Sequence, residues 1–220
     1  MNELPNWQPR PRPARKTLEG RYCRLEPLDP ATHGDPLFAA SMAEGAETRF
    51  RYLFDKPEDR AGFDAWLTRA SASDDPLFYT VVDIATGRAE GRQALMRITP
   101  EHGVIEVGNI LWGPAISRTR AATEALFLHA RYVFDELGYR RFEWKCDNRN
   151  EPSKRAARRF GFTFEGVFRQ HMVLKGESRD TAWFAMLDSE WPALRSAFER
   201  WLEPANFDAD GRQKKALARG

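Results

Sequence analysis

Apolar residues recur along this chain with two periods, and the places where the period changes mark its elements. Arg21–Glu26 alternates polar and apolar positions, which predicts a half-buried strand. Pro30–Gly45 and Pro57–Ser71 read as helices that open near prolines. Leu77–Asp83 (LFYTVVD) is β-branched and aromatic, and Thr86-Gly87 turns this strand into a second one, Gly91–Ile98. Ile105–Trp112 is the next predicted strand. Arg118–Leu137 is a long alanine-rich helix, with Gly138 as its expected stop. Arg141–Lys145 alternates as a strand. Asn150 is placed to cap a short helix, Glu151–Phe160, with Pro152 in its first turn and Gly161 at its end. Phe162–Leu174 and Arg179–Leu187 read as a strand pair joined through Lys175-Gly176-Glu177. A last helix, Ser189–Leu202, is expected to start at a Ser189 cap. Antiparallel strands precede a β-α-β-α-β segment, so the class is mixed α/β (α+β) with a partly antiparallel sheet.

Composition narrows this picture. The chain has 220 residues, 42% of them apolar and 12% aromatic, enough for one domain with a real core and short tails. Residues 1–19 are rich in Pro and Arg and read as an extended arm, lying along the domain or solvated as a tail. Residues 204–220 read as a polar tail, frayed from Asp208 on. The formal net charge of +2 carries no nucleic-acid signal for the whole molecule. The two cysteines, Cys23 and Cys146, are isolated and form no metal-ligand pattern, which fits a reduced intracellular setting. No secretion signal and no membrane-length apolar run is visible, so a cytoplasmic location follows by elimination.

The stretch Ile105–Leu137 points to a ligand. An apolar strand ends at Trp112, a Gly-Pro connection follows, and Ser117-Arg118-Thr119-Arg120 opens the long helix. First-turn amides lack intrahelical partners and the helix dipole favours negative charge there, so this is a candidate phosphate site.

Four features then occur in a telling order. They are the strand IEVGNILW with its following helix start Ala122-Thr123-Glu124-Ala125; the turn Leu137-Gly138-Tyr139-Arg140-Arg141; the helix start Asn150-Glu151-Pro152-Ser153; and Phe160-Gly161-Phe162 leading to Glu165-Gly166. Together, over about residues 20–190, they resemble the GNAT superfamily of acyl-CoA-dependent N-acetyltransferases, and most of all its ribosomal-protein-alanine acetyltransferase-like branch. The resemblance implies a GNAT fold over 20–203: a twisted, mostly antiparallel mixed sheet, splayed at its centre and flanked by helices. It implies acetyl-CoA as cosubstrate in the splayed cleft and an amine as acceptor. The backbone of Ile110, Leu111 and Trp112 would pair with the pantetheine arm. Ser117, Arg118, Thr119, Arg120, Ala121, Ala122 and Thr123 would hold the pyrophosphate. Asn150 would meet the pantetheine or an ordered water, and Ser153 matches a serine that protonates the departing thiolate. The family pattern departs at two places: Arg120 stands where glycine is usual, and Ala157 where many members carry a tyrosine acid. The residues themselves, with no membrane-length apolar run and no ordered aromatic-basic pattern, predict no membrane partner and disfavour nucleic acid; a homodimer stays open.

Direct transfer also needs a base for the attacking amine. Glu106, on the cleft strand, is the first candidate; on a regular strand it shares a face with Gly108, Ile110 and Trp112. The bland alternative is a solvent-facing strand carboxylate. Glu165, whose favoured alternative is a structural pair with Arg169, and His171 are the other candidates. Arg158, with Arg155 and Arg159 beside it on the short helix, would face the phosphates of CoA, or would form a solvated basic face. Phe50, Arg51, Tyr52 and Phe54 would line an acceptor pocket or enter the core, and Trp183 or Phe184 would shape that pocket. The competing function is a non-catalytic protein of the same fold that binds CoA or another phosphorylated ligand, with its basic arm on RNA or ribosomes.

Overall fold

The computed structural model describes residues 3–218; residues 1–2 of the arm and 219–220 of the tail lie outside the described residues. Eight strands build one sheet: β1 (Leu18–Glu19), β2 (Cys23–Pro27), β3 (Leu77–Asp83), β4 (Ala89–Thr99), β5 (Val104–Trp112), β6 (Arg141–Asp147), β7 (Thr163–Leu174) and β8 (Glu177–Leu187). Their order is β1-β2-β3-β4-β5-β6-β8-β7. Every neighbouring pair is antiparallel except β5 and β6, which run parallel. The helices are α1 (Pro30–Met42), α2 (Ala46–Phe50), α3 (Arg60–Ala72), α4 (Arg120–Arg131), α5 (Glu151–Arg159) and α6 (Trp191–Trp201).

The sheet is covered on both faces, which explains why β3 reads as a continuous apolar run. Tyr79 and Val81 point into the larger core with α4 and α6, while Phe78 points the other way onto Trp66 and Phe63 of α3. Gly138 (φ 69°) and Gly161 (φ 90°) end their helices in the left-handed conformation that glycine adopts without a Cβ clash.

Several expected boundaries move. The first predicted helix stops at Met42, and Gly45 (φ 83°) separates it from α2. α3 begins at Arg60, where Asp59 Oδ1 accepts from Gly62 N at 2.7 Å, rather than at Pro57. The long helix starts at Arg120 because Arg118 sits at φ 64°. Its last turn widens, with Leu137 N donating to Tyr132 O at 3.0 Å, five residues back. Ser189 is not the cap of α6. Glu190 holds that position, and its carboxylate accepts from Leu187 N at 2.8 Å.

The arm is anchored where it enters the domain. Leu18–Glu19 joins the sheet as β1, so the sheet starts before residue 20. Ala14 N donates to Tyr132 Oη at 2.8 Å, Tyr79 Oη donates to Ala14 O at 2.9 Å, and Arg15 bonds Ser71 O at 2.7 Å. The chain after α6 also folds back, contrary to the frayed tail expected from its composition. Phe207 packs edge-on against Trp201 at 5.0 Å, and Trp201 Nε1 donates to Gln213 Oε1 at 3.0 Å.

A buried polar pair crosses from the sheet to α4. Gln93 Nε2 donates to Ala125 O at 2.9 Å and to Nδ1 of the buried His129 at 3.0 Å. Burial pushes the His129 pKa down to about 3. Below about 6.5 the unfolded chain takes up a proton here that the folded chain refuses, so folding stability falls as pH falls, by about 1.4 kcal/mol per pH unit, until about pH 3. Urea midpoints between pH 7 and 5 should therefore drop more steeply for the natural protein than for His129→Leu. Parallel profiles would show that His129 is not held neutral.

Candidate active site

The cleft starts from the backbone. β5 pairs with β6 over Val104–Val107 against Arg141–Trp144 and then parts from it. Beyond that point β5 keeps only β4, and β6 keeps only β8. The parting coincides with a bulge. Gly108 lies opposite Ala94 but Leu111 lies opposite Arg92, so β5 carries one extra residue, and Asn109 takes a left-handed φ of 50°. The bulge reverses the strand's alternation. Leu111, not Trp112, shares the face of Glu106, a correction to the regular-strand expectation. Trp112 turns toward α4, where its Nε1 donates to Gln93 Oε1 at 3.2 Å and its ring packs on Phe160.

On the opposite wall, Asn150 Oδ1 accepts from Ser153 N at 3.2 Å and so caps α5. Trp144 Nε1 donates to Ser153 Oγ at 2.9 Å, which leaves the serine hydroxyl proton to be given elsewhere. Asn150 and Ser153 both line the cleft, as do Gly108, Asn109 and Ile110. The cleft has a volume of about 120 Å³ and is open to solvent.

Glu106 also lines this cleft, but it is buried and fully engaged. Arg97 Nη1 lies 2.9 and 2.8 Å from its two oxygens, and Lys145 Nζ lies 3.0 Å from Oε2. Burial raises its pKa, and the charges of Lys145 and Arg97 oppose that rise. Lys145 in turn reaches Glu143 at 2.6 Å and lies 3.9 Å over the Trp183 ring. Phe184, next to Trp183, is in the core.

His171 is exposed in the same cleft. A second bulge puts it there: Phe168 pairs with Thr181 and Met172 with Arg179, so Arg169–His171 face a single residue of β8, with Gln170 at φ 49°. His171 Nδ1 meets Thr181 Oγ1 at 2.9 Å. Burial, and then the charges of Arg179, Arg97 and Lys145, lower its pKa from 6.5. Glu165 lies apart from the cleft and pairs with Arg141 at 2.8 Å rather than with Arg169.

The anion end has a different make-up from the one expected. Ser117 Oγ donates to Trp112 O at 2.9 Å, Thr119 Oγ1 to Ile116 O at 2.7 Å, and Thr123 Oγ1 to Thr119 O at 3.3 Å. These hydroxyls hold the loop itself. Arg120 lies over the Tyr22 ring at 4.3 Å and the Phe207 ring at 5.3 Å, so it braces the helix start from the side. Ala121 and Ala122 are buried and offer only their backbone. Thr119, at the cap position, makes no side-chain cap bond, so the first turn of α4 keeps its anion-binding character. Arg159 also reaches this helix start, its Nη1 donating to Thr123 Oγ1 at 3.1 Å, while Arg118 stands exposed just before it. Arg158 instead lies over Phe164 and Phe184 in a separate groove.

Of the residues between α1 and α3, Phe50 is core, Tyr52 and Phe54 line the cleft, and Arg51 does not. Arg179 lines it too, is buried, and has no counterpart in the sequence reading. Its only signal there is that it stands two residues before Thr181, on the same face of one strand. Cys146 lines the cleft as a buried free thiol whose pKa is raised by burial, which suits an inert residue.

Residues 24–163 match the family model of the acetyltransferase (GNAT) domain. The chain is 65% identical to a solved GCN5-related N-acetyltransferase from Brucella melitensis, with a TM-score of 0.96 and 97% of each chain covered. It is 40% identical to a probable acetyltransferase (GNAT family) from Chromobacterium violaceum ATCC 12472, with a TM-score of 0.80, covering 87% of this chain and 96% of that one. A putative ribosomal-protein-serine acetyltransferase from Vibrio cholerae shares the fold at 17% identity, with a TM-score of 0.67 and coverage of 78% and 97%. No curated protein matches the chain. The domain match, covering more than half of the sequence, and the splayed sheet agree: this chain is a member of the GNAT acetyltransferase family.

Proposed function

We propose that the chain transfers an acetyl group from acetyl-CoA directly to a primary amine bound in the cleft. The observation that carries this reading is the parting of β5 from β6 beside an uncapped α4 N-terminus. An unpaired strand edge suits an amide-containing arm, because backbone N–H and C=O groups seek partners. The first-turn amides of α4 suit a pyrophosphate, with Arg159 supplying charge at the same helix start. The cosubstrate supplies an activated thioester carbonyl.

The chain's own residues then divide the work. His171 takes the proton from the attacking amine. It is exposed to the cleft and its lowered pKa leaves it neutral near pH 7, with Nε2 available once Nδ1 meets Thr181. Glu106 is less suited to that role, since Arg97 and Lys145 already occupy both of its oxygens. It fixes those two cations in the cleft wall. Ser153 gives its hydroxyl proton to the departing thiolate while taking one from water in the solvent-open cleft, and Trp144 holds the serine oxygen in place. Backbone N–H groups near Ile110 and Leu111 face the developing oxyanion. A non-catalytic binder would need no base, so His171 in the cleft favours the enzyme. The acceptor being a ribosomal-protein N-terminus has only shared fold behind it.

Titration of CoA should give saturable binding by calorimetry, and Arg159→Ala should weaken it by about tenfold, the scale of one charge-assisted contact, while Arg158→Ala leaves it within about twofold. No heat at near-millimolar CoA would overturn the cosubstrate assignment. Turnover, read as thiol release with an amine panel, should fall about a hundredfold or more in His171→Gln with CoA affinity kept. In the natural enzyme kcat/KM should rise with pH through an apparent pKa below 6.5, because the active form is the neutral imidazole, and this limb should vanish in His171→Gln. Undiminished turnover would return the base role to Glu106.

A further inference from the structure

Among the described residues, Arg179 is a cation of the cleft to which the protein makes no hydrogen bond or ion pair. Of the other charged residues lining the cleft, Arg97 and Lys145 share Glu106. Arg49 donates to the carbonyls of Glu44 and Ser41 at the end of α1. Asp147 is taken by Arg149, through Nε at 3.2 Å and Nη2 at 3.0 Å. Arg179 is 5% exposed, and among the described residues its guanidinium has neither a hydrogen bond nor an ion pair. Its Nε is buried without a partner. Its guanidinium lies 5.6 Å from the ring of Phe54, itself 49% exposed at the cleft mouth, and the carboxylate of Asp147, already paired with Arg149, acts on it by charge without bonding to it.

Burying an arginine with no carboxylate bonded to it is costly, and a buried donor left unmade costs more than a typical bond returns. A planar fork of donors is suited to a carboxylate, which accepts two parallel bonds. The position of Arg179 says where on the acceptor that carboxylate would be. Arg179 lies opposite Met172, the residue after His171, and Thr181, which holds the imidazole, stands two residues further along β8 on the same face. A proton acceptor for the amine and a fork for an anion are thus set side by side on one strand pair, within reach of a single small molecule.

We propose that the acceptor is an amine that also carries a carboxylate, and that Arg179 binds this carboxylate while the amine faces His171. This rests on the acetyl-transfer reading of the same cleft. Phe54 and Tyr52 cover the bound end of the acceptor and shield the Arg179–carboxylate pair from water. The carboxylate has two sources, a free amino acid or the acidic side chain of a peptide's first residue, and they present the same chemistry to the guanidinium.

Paired probes that differ only in this group test it: alanine against alaninamide, 4-aminobutyrate against 4-aminobutyramide, and aspartyl-alaninamide against asparaginyl-alaninamide. With acetyl-CoA, the acid member of at least one pair should be favoured by about tenfold or more in kcat/KM, and the favoured pair identifies the source. Arg179→Gln should bring that preference below about twofold, mainly through KM, with CoA affinity unchanged, and Arg179→Lys should keep part of it. Equal use of acid and amide by the natural protein, or a preference that survives Arg179→Gln, overturns the inference. If no probe is acetylated, acetyl transfer to such amines fails. The inference is then read from calorimetry of the same pairs with CoA present. Tighter binding of the acid, lost in Arg179→Gln, upholds it, and equal binding refutes it.

Discussion

The cleft of this molecule depends on one failure of pairing. Two parallel strands, β5 and β6, hold each other for four residues and then separate. A parallel ladder that ran on would bury its backbone groups and leave no site. The separation instead opens two strand edges toward each other inside a sheet that is otherwise continuous from β1 to β7. Each strand keeps its outer neighbour, so the cleft stays open without the sheet coming apart. The helices sit accordingly, with α4 starting beyond the open end of β5 and α5 beyond that of β6.

Backbone strain is concentrated around this opening. Among the described residues, five non-glycine residues adopt left-handed φ, and four of them lie in or beside the cleft or its anion end: Arg97, Asn109, Arg118 and Gln170. Such a conformation costs roughly 1–2 kcal/mol per residue and persists only where surrounding bonds impose it. Asp75 imposes it at Arg97, accepting from Arg97 N at 2.8 Å and Ile98 N at 3.0 Å. Asp180 does the same at Gln170, accepting from its N at 2.7 Å. Two of these irregularities re-aim a side chain of the cleft: Arg97 toward Glu106, and His171 into the opening.

This explains what could and could not be read from the residues. The strand Leu77–Asp83 was legible to the residue because both of its faces are buried and β-branched. The stops at Gly138 and Gly161 and the cap at Asn150 were legible because the residue type itself carries the geometry. Bulges at Arg, Asn and Gln carry no such mark, so the face of Trp112 and the setting of His171 were not visible in a period-2 pattern. Arg158 and Arg159 differ by one residue, yet successive helix positions point in widely different directions. Only the packing of α5 decides that Arg159 meets Thr123. Arg179 was missed for a related reason, since a strand arginine reads as surface until its burial is known.

The central claim is that the parted edge of β5 and the first turn of α4 together receive CoA. Amide hydrogen exchange with and without CoA tests it most directly, because both features are backbone. Added CoA should slow exchange within residues 108–112 and 120–123, and leave the β2–β3 ladder unchanged. Protection confined to other parts of the chain, with those two segments unaffected by saturating CoA, would contradict the account.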